Sequence, residues 1–273
     1  MKRDRGEQLM CLVLVYFKDT PRDAKLLGSL VRAIHPEVPK SMKYFFLDAG
    51  DGRDQEITAS LPEVEAFHRK HLATADIYCY GVGRGLTWDI HVNRAESSIR
   101  PLPRPAYMRA ICKIGKSTDP FLMTNRVFDA VDRDPAVLHG FAVIGTLDWL
   151  HYGRRFTEAV QPLSWQETVE AFAWRFTEPH WTTRLRDVQW GTYIGPSLAC
   201  KIPDTLRSQG TELVRAERFD EDFIWNTHPS GGTSVFVSRD PLQTANVDLL
   251  MPDDYSTIKA GWLRAKLREC DLL

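Results

Sequence analysis

No two cysteines stand at the spacing of a metal knuckle: the five that occur (Cys11, Cys79, Cys112, Cys200 and Cys270) are scattered, with no histidine cluster beside them. That excludes a zinc finger and gives no sign of a disulfide framework, so the thiols fit a reducing compartment. An excess of one charge is also missing. With 35 basic and 36 acidic side chains the net charge is -1, which argues against holding nucleic acid by bulk electrostatics. No apolar run approaches the ~20 residues that span a bilayer. The segment Met1 to Phe17 sets basic residues before an apolar run, as a signal peptide does, but no small-residue cleavage site follows and Lys18-Asp19-Thr20-Pro21 reads as a turn. Internal repeats and low-complexity tracts are absent. So are a GxSxG elbow, an HExxH pair, a Walker loop and the kinase set, which lowers the expectation of catalysis without excluding a triad assembled in space.

What is present is an ordinary globular composition, 43% hydrophobic and 26% charged over 273 residues. A chain of this length buries roughly three quarters of the surface it exposes when unfolded and needs no covalent staple. The expected unit is a single domain over 1–273. The three prolines of Arg100 to Tyr107 mark the best place for a seam between two lobes.

The apolar run Met10 to Phe17 is too short for a typical helix and reads as a well-buried strand. Thr20 then caps a helix, with Pro21 at its first position, Asp23 in its first turn, and Leu27, Leu30, Val31 and Ile34 on its face. Lys43 to Leu47 is a second strand, followed by a loop. Ser60 and Glu63 form a capping box for a helix carrying Val64, Phe67, His71 and Leu72. The period then changes to two, with Ile77 to Tyr80, a glycine turn at 81 to 85, and Trp88, Ile90 and Val92 making a hairpin. A helix follows at Pro120 to Val131 with Phe121, Phe128 and Val131 inward, then a strand at Val137 to Thr146. A second capping box, Ser164 and Glu167, opens a helix with Trp165, Val169, Phe172, Ala173 and Phe176 in one stripe. Further strands are expected at Glu212 to Glu217 and Thr233 to Val237. Asp253 and Asp254 start a last helix bearing Ile258, Trp262 and Ala265. Together these elements predict an α+β fold, with a mixed, largely antiparallel sheet flanked by amphipathic helices.

Several clusters admit a chemical reading beside a plainer one. The glycines at 81, 83 and 85 resemble a dinucleotide loop, but a strand follows where that loop needs a helix, so they read as a hairpin turn. His68 and His71 share a helical turn without a third ligand in sight and read as packing or surface residues. Ser230-Gly231-Gly232-Thr233 suits a phosphate cradle or, more simply, the turn before a strand. Five tryptophans, Trp149, Trp165, Trp174, Trp181 and Trp190, crowd into a short span; Trp165 sits on the apolar stripe, whereas Trp174 falls off it and is a surface candidate. The acid-aromatic run Glu217, Asp220, Glu221, Asp222 and Phe223 is either a solvated surface or, with Trp174, a face that anchors and steers a basic partner. No catalytic residue, metal ligand or cofactor site is assigned, and nothing in the sequence sets an oligomeric state.

In Gln189-Trp190-Gly191-Thr192-Tyr193-Ile194-Gly195-Pro196, alternation puts Trp190, Thr192 and Ile194 on one strand face and Tyr193 on the other, with Gly195-Pro196 turning strand into helix. The stretch Thr182 to Ile202 around it resembles the immunity proteins of bacterial polymorphic-toxin and type VI secretion systems, most closely the Immunity protein 52 family. The resemblance implies a cytoplasmic, non-enzymatic α+β protein. Such a protein binds and neutralises a cognate toxin effector encoded nearby, a restriction-endonuclease-fold nuclease, without itself contacting nucleic acid or membrane. The alternative is a hydrolase or transferase for a phosphorylated or nucleotide ligand, with Gly191, Gly195 and the helix start at Pro196 as its pocket floor.

Overall fold

The computed structural model describes residues 9–21, 23, 25–35, 42–48, 55–71, 75–80, 88–93, 106–115, 118–146, 182–185, 188–240, 245–246, 251–252 and 254–273. The glycine turn at 81–85, most of the proline segment 100–107, the helix expected after Ser164, and Trp149, Trp165, Trp174 and Trp181 lie outside the described residues.

The strand Leu9–Phe17 (β1) explains why its sequence is apolar throughout instead of alternating. It lies inside a ten-stranded sheet, hydrogen-bonded to two antiparallel neighbours, and both of its faces are covered. Cys11, Val13, Val15 and Phe17 join the large core under the helices, while Met10, Leu12 and Tyr16 join a smaller cluster with Ile111, Phe141 and Val143. The other strands are β2 (Met42–Asp48), β3 (Gln55–Ala59), β4 (Ala75–Tyr80), β5 (Trp88–Asn93), β6 (Ala106–Lys113), β7 (Val137–Thr146), β8 (Gly191–Ile194), β9 (Ile224–Thr227) and β10 (Thr233–Phe236). Their spatial order is β3-β2-β4-β5-β6-β1-β7-β8-β10-β9. Each pairing in it is antiparallel. The fold is α+β, and the sheet crosses from the segment before the prolines to the segment after them.

Helices α1 (Leu26–Ile34), α2 (Leu61–His71) and α3 (Pro120–Val131) cover the large core. The capping box at α2 is formed as its sequence predicts: Ser60 donates to Glu63 Oε2 from its backbone N at 2.6 Å and from Oγ at 2.7 Å. Those bonds hold the Glu63 carboxyl below its ordinary value. Pro120 opens α3, where the Asp119 side chain accepts from Leu122 N at 3.0 Å. Three expectations are corrected. Helix α1 starts at Leu26 and not at Pro21, because Asp23 is held in a turn: its N donates to Asp134 Oδ2 at 2.8 Å and its carboxylate accepts from Lys25 N at 2.8 Å. The segment expected as a strand at 212–217 is the second half of a helix, Thr205–Glu217, whose buried face is Leu206, Gly210 and Val214 at a spacing of four. The last helix, Asp254–Glu269, buries Lys259, Ala260, Leu263 and Leu267, so Ile258 and Ala265 lie outside its packed face.

Between β8 and the helix Thr205–Glu217 runs a single turn, Pro196–Ala199, so we number the helices α4 (196–199), α5 (205–217) and α6 (254–269). A two-stranded ladder of Ala245–Asn246 (β11) and Met251–Pro252 (β12) precedes α6. Among the described residues no helix is long and apolar enough to cross a membrane.

Cys11 and Cys112 face each other across β1 and β6, both buried and both free thiols. Burial pushes Cys11 up to about 12 and Cys112 up to about 11 from an ordinary 9.0. The folded chain keeps these protons above pH 9 while the unfolded chain loses them, so stability falls as pH rises through the window from 9 towards 11–12. In the native protein at about pH 8, below the ordinary thiol value, an aromatic disulfide reagent is expected to modify the exposed Cys200 and to spare Cys11 and Cys112 until denaturant is added. Mass spectrometry of labelled peptides checks this; native labelling of either buried thiol contradicts it.

Candidate functional site

The acid-aromatic run begins where α5 ends. Arg218 takes the left-handed conformation (φ 56°), its N–H returns to Val214 O, and the chain reverses. The reversal lays Asp222 back against α5, where its Oδ2 accepts from Thr211 Oγ1 at 2.9 Å and its Oδ1 from Phe223 N at 2.8 Å. Glu221 is tied on both ends: its carboxylate accepts from Arg239 N at 3.0 Å, and its carbonyl accepts from the buried Lys259 Nζ at 2.7 Å. Glu217 and Asp220 are exposed and carry the outward charge of this face, beside the exposed Arg215 and Arg218.

Phe223 is not an outward anchor. It is 6% exposed and packs on Trp262 with ring centroids 5.3 Å apart and on Trp225 at 6.5 Å, with Lys259 Nζ 5.0 Å above its ring. Gly210 makes the room, since a Cβ there would sit 3.1 Å from Phe223 Cδ2. The aromatic half of the run therefore belongs to the core, and Trp174 lies outside the described residues. Trp225, half-buried on β9, has Arg207 5.6 Å above its ring. Strand β9 ends the sheet order, so the acids precede an edge strand of four residues.

A second constellation, missed from sequence, lies behind that edge. Helix α3 and the residue after it present Asn125, Asp129 and Asp132 at helical spacing, and the β9 hairpin presents Asn226, His228 and Ser230 at a period of two. They meet pairwise. Asn226 Nδ2 donates to Asn125 Oδ1 at 3.1 Å, His228 Nδ1 lies 2.6 Å from Asp129 Oδ1, and Ser230 N donates to Asp132 Oδ2 at 2.7 Å. Gly232 N and Tyr193 Oη also donate to Asp132 Oδ1, at 3.2 and 2.8 Å. The turn considered as a phosphate cradle thus spends its amides on the carboxylate of Asp132.

His228 Nε2 continues to Ser234 Oγ at 3.0 Å, completing a serine–histidine–aspartate chain of hydrogen bonds. Its orientation is opposite to what nucleophilic catalysis requires. Ser234 is fully buried on a strand paired on both sides, while Asp129, at the other end, is 44% exposed. A substrate carbonyl has no approach to Oγ, so the chain locks α3 to the end of the sheet. The sequence signal for it was the alternation of Asn226, His228 and Ser230 opposite a polar stripe on an otherwise apolar helix.

The glycines considered as a pocket floor are filled by protein. A Cβ on Gly191 would sit 2.7 Å from Phe236 Cε1, and one on Gly195 2.5 Å from Leu138 O. The helix Pro196–Ala199 is a single turn, and its preceding Gly195 N donates to Leu138 O at 2.7 Å. The Trp190 to Pro196 stretch is a joint, but the expected separation of Trp190 from Tyr193 does not hold: strand β8 begins only at Gly191, and Trp190, its Nε1 fixed to Ser238 O at 3.0 Å, packs on Phe236 in the same cluster as Tyr193. Among the described residues no three His, Cys, Asp or Glu side chains come together as a metal site.

No protein-family model matches the sequence, and no curated protein does. Among solved structures, a Pseudomonas aeruginosa T6SS protein is similar over 95% of this chain and 72% of its own, with a TM-score of 0.56 and 15% sequence identity. At that identity the likeness concerns the fold.

Proposed function

We propose that this protein is an immunity protein of a type VI secretion system. In this reading it is cytoplasmic and non-enzymatic, and it neutralises a cognate effector encoded nearby, a nuclease of the restriction-endonuclease fold. It binds the effector and not the nucleic acid or a membrane. The observation that carries the reading is the fold shared along almost the whole chain with a T6SS protein. The strand-to-helix joint at Trp190 to Pro196, which resembles that of the immunity class, supports it independently. The exposed acids at the α5–β9 corner supply the chemistry: Glu217 and Asp220 complement the basic groove with which a nuclease holds phosphates, so they steer the encounter.

The test begins with co-purification of the neighbouring gene's product and relief of its toxicity; a product that is neither bound nor toxic overturns the reading. For the face itself, Glu217→Lys with Asp220→Lys reverses charge on two exposed side chains and leaves Asp222, Glu221 and Phe223 in their structural roles. The association rate at low salt is expected to fall about ten- to a hundred-fold, and the difference to shrink as salt is raised. Rates unchanged at low salt assign the interface elsewhere.

A further inference from the structure

A hollow of about 340 Å³ lies where α1, α2 and the turn after α3 converge, lined by Lys25, Ser29, Arg32, Glu65, Arg69 and Arg133. Its charge is lopsided in a chain whose total is nearly neutral. Four cations face one carboxylate, and Glu65 is already held by Arg32 Nη2 at 2.7 Å. Gly28 gives Glu65 its place, because a Cβ there would sit 1.8 Å from Glu65 Oε1. The acids nearest in the chain are occupied as well: Asp134 accepts from Asp23 N and Ala136 N, and Asp23 accepts from Lys25 N. Lys25, Arg69 and Arg133 are left without an ion-pair partner among the described residues.

The convergence is built by regular structure. Lys25, Ser29 and Arg32 recur along one face of α1, Glu65 and Arg69 are four apart on α2, and Arg133 is set by the turn that Asp132 and Asp134 anchor. Gathering like charges in one concavity is unfavourable unless an anion neutralises them. We propose that this hollow binds the phosphate group of a small phosphate ester. A single carboxylate would neutralise one of the three cations unpaired among the described residues, whereas a phosphate dianion matches their charge more closely, offers several acceptor oxygens to two guanidinium forks, and takes the Ser29 hydroxyl as a further donor. The volume lies within the range of small-ligand sites, and a partly open concavity framed by two helices and a turn suits a discrete ligand better than a polymer lying along a stripe. The site is remote in sequence from the acid face and stands whether or not the immunity reading does.

Calorimetric titration with pyrophosphate and with adenosine monophosphate at about 50 mM salt, where phosphate contacts are weakly screened, tests it. One saturable site per chain is expected. Arg69→Gln with Arg133→Gln should weaken it at least about ten-fold at an unchanged circular dichroism spectrum, and Glu65→Gln should tighten it, giving a readout of opposite sign. The absence of saturable binding overturns the proposal, as does affinity unaltered in both variants. A single-stranded DNA of about 20 nucleotides bound through the same arginines roughly a hundred-fold tighter than adenosine monophosphate also overturns it, in favour of a nucleic-acid surface.

Discussion

Replacing Asp132 by alanine is expected to destabilise the protein by about 3 kcal/mol or more, since three neutral donors lose their acceptor at about 1–3 kcal/mol for each one left buried. Asp132 is 1% exposed and accepts from three donors, the Tyr193 hydroxyl and the amides of Ser230 and Gly232. Gly232 is part of the design, since a Cβ there would fall 2.4 Å from Asp132 Oδ1 and 2.6 Å from Tyr193 Oη. With the carboxylate gone, the three donors lose their acceptor and the β9–β10 turn is left tied to α3 through His228 and Asp129. The milder Asp132→Asn keeps one acceptor oxygen and should lose less. Urea unfolding reads both, and a loss below about 1 kcal/mol for the alanine variant, no more than an ordinary hydrogen bond is worth, contradicts this role. A pH signature accompanies it. Burial first, then the charge of Asp132, push the Tyr193 phenol far above its ordinary 10.0. The folded chain keeps that proton while the unfolded chain sheds it above pH 10, so stability falls as pH rises beyond 10. Tyr193→Phe removes this alkaline loss, which comparison of the two pH profiles resolves.

Local rules made much of this architecture readable. Uninterrupted apolarity in β1 reports burial on both faces, the Ser60–Glu63 box gives the start of α2, and Pro120 after Asp119 gives that of α3. What was not readable depends on partners far away in the chain. Leu213 and Val214 side by side look like a strand because the inward position between Leu206 and Val214 is Gly210, which adds nothing to an apolar stripe. Its meaning is supplied by Phe223 lying against it. Phe223 itself reads as an exposed anchor because acids surround it, while the charged Lys259 is buried against its ring. Only the fold reveals that its ammonium is stabilised by the carbonyls of Glu221 and Val237. The polar seam is legible in halves, as a stripe on α3 and an alternation on β9, with Asp129 and His228 99 residues apart. Nothing local joins them.

That seam also bears on the acid face. Helix α3 holds β9 through Asn125 and Asp129, while α5 reaches the same strand through Arg207, which donates to Thr227 Oγ1 at 3.1 Å and lies over Trp225. An edge strand held on both sides by side chains is a rigid neighbour to the corner that carries Glu217 and Asp220 in the proposed interface. Pre-organisation of this kind lowers the ordering cost of association.

Gly195→Ala is the other substitution with a large expected effect, about 3 kcal/mol or slightly more, at the upper end of what overpacking costs. The reason is steric and not conformational: Gly195 has φ −66°, which any residue adopts. Its added Cβ would stand 2.5 Å from Leu138 O and 2.8 Å from Val137 O, both backbone atoms of β7. Neither can swing aside, and parting the chains also stretches the Gly195 N to Leu138 O hydrogen bond of 2.7 Å, which continues the β7–β8 ladder into α4. Gly28→Ala is the matched control. Its clash is nominally worse, 1.8 Å to Glu65 Oε1 and still 2.9 Å to its Cγ, but the obstacle is a side chain that can swing aside as a whole, and its ion pair with a half-exposed Arg32 contributes at most about 1 kcal/mol. Alanine is moreover the better helix former, by roughly 1 kcal/mol over glycine. Thermal and urea unfolding of the two variants should therefore separate them widely, with Gly195→Ala lowering the midpoint and Gly28→Ala leaving stability within about 1 kcal/mol of the parent. Equal losses would show that space, and not the identity of the atom that fills it, decides the effect.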